Sequence, residues 1–140
     1  MEKLDKKVVI ALTQDEAKIW ADGLDKDSHP IRVPAPAEKG SVNHLRQTLH
    51  QSGHSADPPE HGYFDVIADH VKGASEILLI GHGNAKASAV FRFMKFMKEH
   101  DPLFAQKIVG EIDTNLNAMT ENEILATARD WFDTFHRTGL

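Results

Sequence analysis

Residues Glu76–Ala87 read EILLIGHGNAKA, and the architecture of the chain turns on this stretch. The run Ile77–Ile80 is wholly apolar and stops at Gly81-His82-Gly83. A short apolar run closed by glycines is the pattern of a strand buried in a sheet. From Ala85 to His100 the sequence reads as a helix, with Val90, Phe91, Met94 and Met97 as its apolar face and Lys86, Arg92, Lys95 and Lys98 as its charges. A strand that feeds a helix through glycines has two readings. The glycines give the geometry needed to leave the strand and pack a helix closely upon it. Alternatively, Gly81, His82, Gly83 and Asn84 let backbone N–H groups approach an anion at the helix N-terminus, with Lys86 adding charge. The spacing is neither GxxxxGK[ST] nor GxGxxG, so no nucleotide motif is present.

Working outward, Val8–Leu12 is a second apolar run rich in β-branched residues and reads as a strand. Gln14-Asp15-Glu16 breaks it, and Ala17–Asp22 alternates apolar and polar positions, so the pair forms a hairpin. This alternation places Trp20 on the outward side, where an aromatic ring is a candidate stacking platform. Pro30, Pro34 and Pro36 around Ile31–Val33 predict a short edge strand. After Pro58-Pro59, the residues Phe64, Ile67 and Val71 repeat at helical spacing, with Tyr63 and Val66 widening the stripe. Asp101-Pro102 ends the next helix, and one further turn leads to the strand Lys107–Asp113. Thr120-x-x-Glu123 is a capping box before a helix whose face is Ile124, Ala128, Trp131, Phe132 and Phe135.

The predicted order is β-β-β-α-β-α-β-α: an α/β fold with a mixed sheet, antiparallel at first and parallel later, and helices packed on it. The same order defines the ribonuclease H-like fold. Nuclease chemistry on that fold needs clustered carboxylates to hold metal ions. The first strand carries none; Asp15 and Glu16 lie in the turn beyond it and Asp113 at the end of the last strand.

The 140 residues are one domain's worth, residues 1–140, interrupted by a long segment at 37–59 that reads as a flexible loop. Within it Val42, Leu45 and Leu49 allow a short helix. Cysteine is absent, which excludes disulfides and thiolate chemistry. No apolar run reaches the ~20 residues of a membrane span, and no signal-like segment opens the chain, so a cytoplasmic location is expected. The formal charge is −5, against a general nucleic-acid binder, but it is uneven. From Lys39 to Ala56 there is no acid, while Lys39, His44, Arg46, His50 and His54 are present. From Glu99 to Asp133 eight acids face two bases, Lys107 and Arg129. His50 and His54 stand at i, i+4, a metal-ligand spacing on a helix, but Ser52-Gly53 between them opposes a helix and no acid completes the set. No cofactor is indicated.

The second half resembles a known family. Tyr63-Phe64-x-x-Ile67-Ala68, Glu76-Ile77-Leu78-Leu79-Ile80-Gly81-x-Gly83-x-Ala85-Lys86, His100-x-Pro102-Leu103-x-Ala105, Lys107-Ile108-Val109-Gly110 and Ile124-Leu125-Ala126-x-Ala128-Arg129-x-x-Phe132 carry the likeness. They resemble the middle domain of eukaryotic and archaeal class-1 peptide chain release factors and of Pelota, and the small bacterial release-factor-like proteins of the translational machinery. The resemblance covers about residues 60 to 135 and implies a ribonuclease H-like fold. In release factors the loop before the first helix carries Gly-Gly-Gln, which positions water on the peptidyl-tRNA ester. Here that loop holds Gln47 and Gln51 but no Gly-Gly-Gln. The resemblance thus implies a non-enzymatic, translation-associated protein that binds RNA, the ribosome or a ribosome-associated partner. Its contacts would be Lys39, His44, Arg46 and Lys86 with the Gly81–Asn84 turn. The alternatives are a small hydrolase that holds an anion in that turn and uses His82 as acid or base, and a homo-oligomer joined by metal at the loop histidines.

Overall fold

The computed structural model describes residues 6–36, 59–82 and 88–138. The chain forms β1 (Lys7–Leu12), β2 (Glu16–Trp20), β3 (Ile31–Pro34), α1 (Pro59–His70), β4 (Glu76–Gly81), α2 (Ala89–His100), the short α3 (Pro102–Ala105), β5 (Ile108–Asp113) and α4 (Glu121–Thr138). The strands make one five-stranded sheet ordered β3-β2-β1-β4-β5. The hairpin partners are antiparallel (Val9 opposite Trp20), whereas β1, β4 and β5 run parallel (Val8 opposite Ile77, Ile80 opposite Ile112). The expected mixed α/β sheet, antiparallel first and parallel later, is therefore present. Of the predicted loop at 37–59, residues 37–58, with the short helix expected there, lie outside the described residues, and Pro59 is instead the first residue of α1.

Alternation along β1 explains the layers. Val8, Ile10 and Leu12 point to one face, with Ile77 and Leu79, against Phe64 and Ile67 of α1 and Phe93 and Met97 of α2. Val9 and Ala11 point to the other, with Trp20, Leu78 and Ile80, against Ile124, Leu125, Ala128 and Phe132 of α4. Helices on both faces bury the central strands completely, which is why β1 and β4 read as continuous apolar runs.

Local signals fix the element ends. Thr120 N–H donates to Glu123 Oε1 (2.8 Å) and Glu123 N–H to Thr120 Oγ1 (3.1 Å), the reciprocal capping box expected from sequence. Ser88 caps α2 at Ala89, its Oγ accepting from Phe91 N–H at 3.0 Å; residues 85–87, expected to be helical, lie outside the described residues. Asp101 closes α2 with its backbone and caps α3 with its carboxylate, which accepts from Phe104 N–H at 3.2 Å.

Three packing expectations are corrected. Trp20 is no exposed platform: α4 covers that face, the ring is buried, and Nε1 donates to Ser28 carbonyl at 3.1 Å. On α2 the buried face is Ala89, Val90, Phe93, Phe96 and Met97, while Phe91 remains 38% exposed and Met94 half-buried. On α1 Val66 points to solvent, while Tyr63, Phe64, Ile67 and Val71 are buried. Polar ties fasten the β2–β3 connection to α4: Asp27 N–H donates to Asn122 Oδ1 (2.8 Å), Asn122 Nδ2 to Asp27 Oδ1 (2.9 Å), and Arg129 Nη1 to Leu24 carbonyl (2.6 Å).

Candidate functional site at the two sheet edges

The parallel strands β1, β4 and β5 end together, so Leu12, Gly81 and Asp113 lie side by side at one edge. Among the candidate anion-turn residues, Gly81 and His82 are described; Gly83, Asn84 and Lys86 lie outside the described residues, as do Lys39, His44, Arg46, His50 and His54. His82 is exposed. Gly81 has an ordinary negative-φ backbone, since Gly23 is the one described glycine with positive φ. Its role is spatial. A Cβ there would overlap Val90 Cγ2 and come within 3.3 Å of Leu12 carbonyl oxygen. Gly81 lets the first turn of α2 lie directly on β4, which is the close-packing reading of the turn.

The rim around this edge is acid-rich: Asp15, Glu16, Glu60, Asp113, Glu121 and Glu123 meet Lys18, Arg32 and Arg92. Those bases are engaged. Arg92 Nε lies 3.0 Å from both Glu60 carboxylate oxygens, and its Nη2 donates to Glu60 Oε2 (2.8 Å) and Gln14 Oε1 (2.9 Å). Arg32 bridges Glu121 (2.5 Å) and Glu16 (3.4 Å), and Lys18 reaches Glu121 at 3.3 Å. Inside this rim, the buried Tyr63 hydroxyl has no hydrogen-bond partner among the described residues. Burial above all, then the charges of Glu60, Glu16 and Asp15, push its pKa upward, so the phenol stays protonated. Among the described residues no group of three or more His, Cys, Asp or Glu is placed to hold a metal ion.

The opposite edge, where the parallel strands begin, gathers lysines among acids: Glu76 opens β4 beside Lys7, Asp69 lies near Lys72, and Asp22 and Asp133 line the cleft beside Lys6 and Lys7. Lys6 and Lys7 open β1, Lys107 precedes β5, and Lys72 follows α1. Backbone bonds draw them together. Ser75 and Glu76 N–H both donate to Lys6 carbonyl (2.9 and 3.2 Å), Ile77 N–H donates to Lys107 carbonyl (2.8 Å), and Lys107 Nζ donates to Lys72 carbonyl (3.4 Å). Among the described residues Lys6, Lys7 and Lys107 have no carboxylate at ion-pair distance, and Lys72 has only the exposed Asp69 at 3.4 Å. Beside Lys6 and Lys7 lies a cleft of about 590 Å³ whose lining includes Arg129, Gly23, Asp22 and Asp133.

Helix ends bring further basic residues. Each helix runs back against the strands, so α1, α2 and α4 all finish at this edge, bringing His70, Lys98, His100, His136 and Arg137. Bases in a last helical turn are favoured by the helix dipole and need no ligand to explain them. The lysines at 6, 7, 72 and 107 sit outside the helices; Lys72 and Lys107 have local partners in Asp69 and the Lys72 carbonyl, whereas no structural partner is seen for the ammonium groups of Lys6 and Lys7 among the described residues. Sequence reading missed this cluster because its members are scattered along the chain and only the parallel strand starts bring them together.

Among the described residues no helix is long and apolar enough to cross a membrane. The sequence matches no protein-family model, and no curated protein matches it.

Proposed function

We propose that this chain is a non-enzymatic, translation-associated protein that binds RNA or a ribosomal surface through phosphate contacts. Its sheet order β3-β2-β1-β4-β5, with the first three strands antiparallel, is consistent with the ribonuclease H-like fold that the release-factor resemblance implies. The observation that carries the reading is the lysine cluster Lys6, Lys7, Lys72 and Lys107 on one sheet edge, without buried carboxylate partners among the described residues. Lysine offers phosphate a mobile point charge without base selectivity, so the recognition is of backbone rather than sequence. Adjacent strands lie ~4.8 Å apart, so the starts of β1 and β5, with β4 between them, stand about 10 Å apart. The lysine arms extend this spread along a polyanion. The acidic opposite edge repels the same polyanion and orients the protein as it approaches. Lys39, Arg46 and Lys86, which lie outside the described residues, remain candidate contacts.

The test is RNA binding by fluorescence anisotropy, together with sucrose-gradient co-sedimentation with ribosomes at low and physiological salt. About four phosphate contacts on a single strand give a log–log salt slope of about −3, so raising salt from about 50 to about 200 mM weakens binding roughly 50-fold. Lys6→Gln/Lys7→Gln/Lys72→Gln/Lys107→Gln, which keeps most of each stem, is expected to abolish binding. Lys39→Gln/Arg46→Gln/Lys86→Gln measures the loop's share. Wild type that binds neither RNA nor ribosomes at low salt refutes the function. Binding that survives the quadruple variant refutes the assignment to this edge.

A further inference from the structure

The two outer strands of the sheet differ in how they are protected. Strand β3 has four residues, is preceded by Pro30 and ends in Pro34, a short proline-blunted edge. Strand β5 has six residues, Ile-Val-Gly-Glu-Ile-Asp, with no proline and no lysine. It pairs with β4 on its inner side, and among the described residues no strand lies on its outer side. Unlike β4, in which five of six residues are buried, β5 has none fully buried, and Ile108, Val109 and Ile112 are left half-covered.

Beside this edge runs a groove of about 430 Å³ between α2 and β5, lined by Phe91, Met94, Lys95, Lys98, Glu99 and Glu111 among others. On this side of α2 Phe91 is exposed and Met94 is only partly buried against the core. The charges in the groove are two bases and two acids, so it is electrically self-complementary. Helix α2 runs opposite to β5, which sets Lys98, in its last turn, toward the start of that strand. A second β5 laid antiparallel alongside would bring its own Glu111 to that position.

We infer that β5 is a self-association edge: two copies of this chain pair β5 to β5 antiparallel about a two-fold axis, extending the sheet to ten strands. Phe91 and Met94 close over the junction, and Lys98 of each copy meets Glu111 of the other. The pairing is isologous, so it closes at the dimer and builds no filament. It stands apart from the RNA reading, because it uses the side of the sheet and leaves the lysine edge open.

The backbone supplies a selective test. Thr114 N–H is directed inward, to Gly81 carbonyl at 2.8 Å. Alternation along the strand then turns the N–H of Ile112 inward and that of Glu111 outward. Glu111→Pro removes an outward donor and spares the β4–β5 ladder. Sedimentation equilibrium and light scattering across a hundredfold concentration range should give the wild type a mass twice the chain's 15.6 kDa. Glu111→Pro should run at the single-chain mass with an unchanged circular dichroism spectrum. Lys98→Glu and Glu111→Lys should each weaken the dimer about tenfold or more, and Lys98→Glu/Glu111→Lys together should restore it. That reciprocal rescue decides the matter should the proline variant fail to fold. Wild type at single-chain mass throughout overturns the inference, as does a dimer that neither single charge reversal weakens.

Discussion

Replacing Gly81 by alanine tests what the glycine at the end of β4 is for. The added Cβ overlaps Val90 Cγ2 and approaches Leu12 carbonyl oxygen. The carbonyl is fixed in the β1–β4 ladder, so the strain must be relieved through Val90 and the first turn of α2. Overpacking a core in this way costs about 2–3 kcal/mol. Val90, 6% exposed, loses about 2 kcal/mol when truncated to alanine in the wild-type background. In the Gly81→Ala background the same truncation makes room for the new methyl. The double variant should therefore be less destabilised than the sum of the singles by roughly 1–2 kcal/mol. Urea unfolding followed by far-UV circular dichroism measures all four corners of the cycle. At about 4 °C per kcal/mol, Gly81→Ala lowers Tm by roughly 8–12 °C. Strict additivity, or a Gly81→Ala protein as stable as wild type, would refute the packing account. The turn would then have to be explained by a ligand.

Further outcomes follow from the same geometry. Trp131 lies over Gly110, where a Cβ would meet its indole ring, so Gly110→Ala should lose about 1–3 kcal/mol and Trp131→Phe should recover part of it in the same unfolding assay. Thr120→Ala removes the cap of α4 and should cost about 1 kcal/mol, read as a lowered urea midpoint at unchanged slope. Tyr63 is the chain's single tyrosine, so tyrosinate absorbance reports it alone. An unfolded tyrosine ionises near pH ~10, whereas the folded group is held protonated above that by burial and nearby carboxylates. Only the unfolded chain then releases the proton, so this contribution is intact below pH ~10 and is lost as pH rises beyond it. Tyr63→Phe should remove that alkaline loss and leave neutral-pH stability unchanged or up to about 1 kcal/mol higher, because the hydroxyl makes no hydrogen bond among the described residues. Equal alkaline sensitivity in wild type and Tyr63→Phe would assign the loss to other groups.

Much of the architecture was legible from residue order alone, because it rests on short-range physics. The apolar runs Val8–Leu12 and Ile77–Ile80 are short and bounded by polar or glycine breaks, the pattern of buried strands. The capping box Thr120–Glu123, the Asp101-Pro102 stop and the prolines around β3 act within a few residues of themselves. What escaped the sequence depended on which surfaces meet. Alternation correctly set Trp20 opposite Ala17 and Ile19, but whether that side faces water depends on α4, a hundred residues later. In α2 the residues Val90, Phe91, Phe93, Met94, Phe96 and Met97 offer more than one apolar stripe. The buried one is chosen where Val90 seats on Gly81. The loop histidines and the basic stretch at 39–56 were visible because they are contiguous, whereas Lys6, Lys7, Lys72 and Lys107 are separated by as many as 101 positions and become neighbours only when β1, β4 and β5 align their starts. Sequence determined the elements and their caps, since those forces reach three or four residues. Tertiary structure alone decided which face is dry, which glycine is crowded and which edge gathers the scattered lysines, since those depend on contacts between distant parts of the chain.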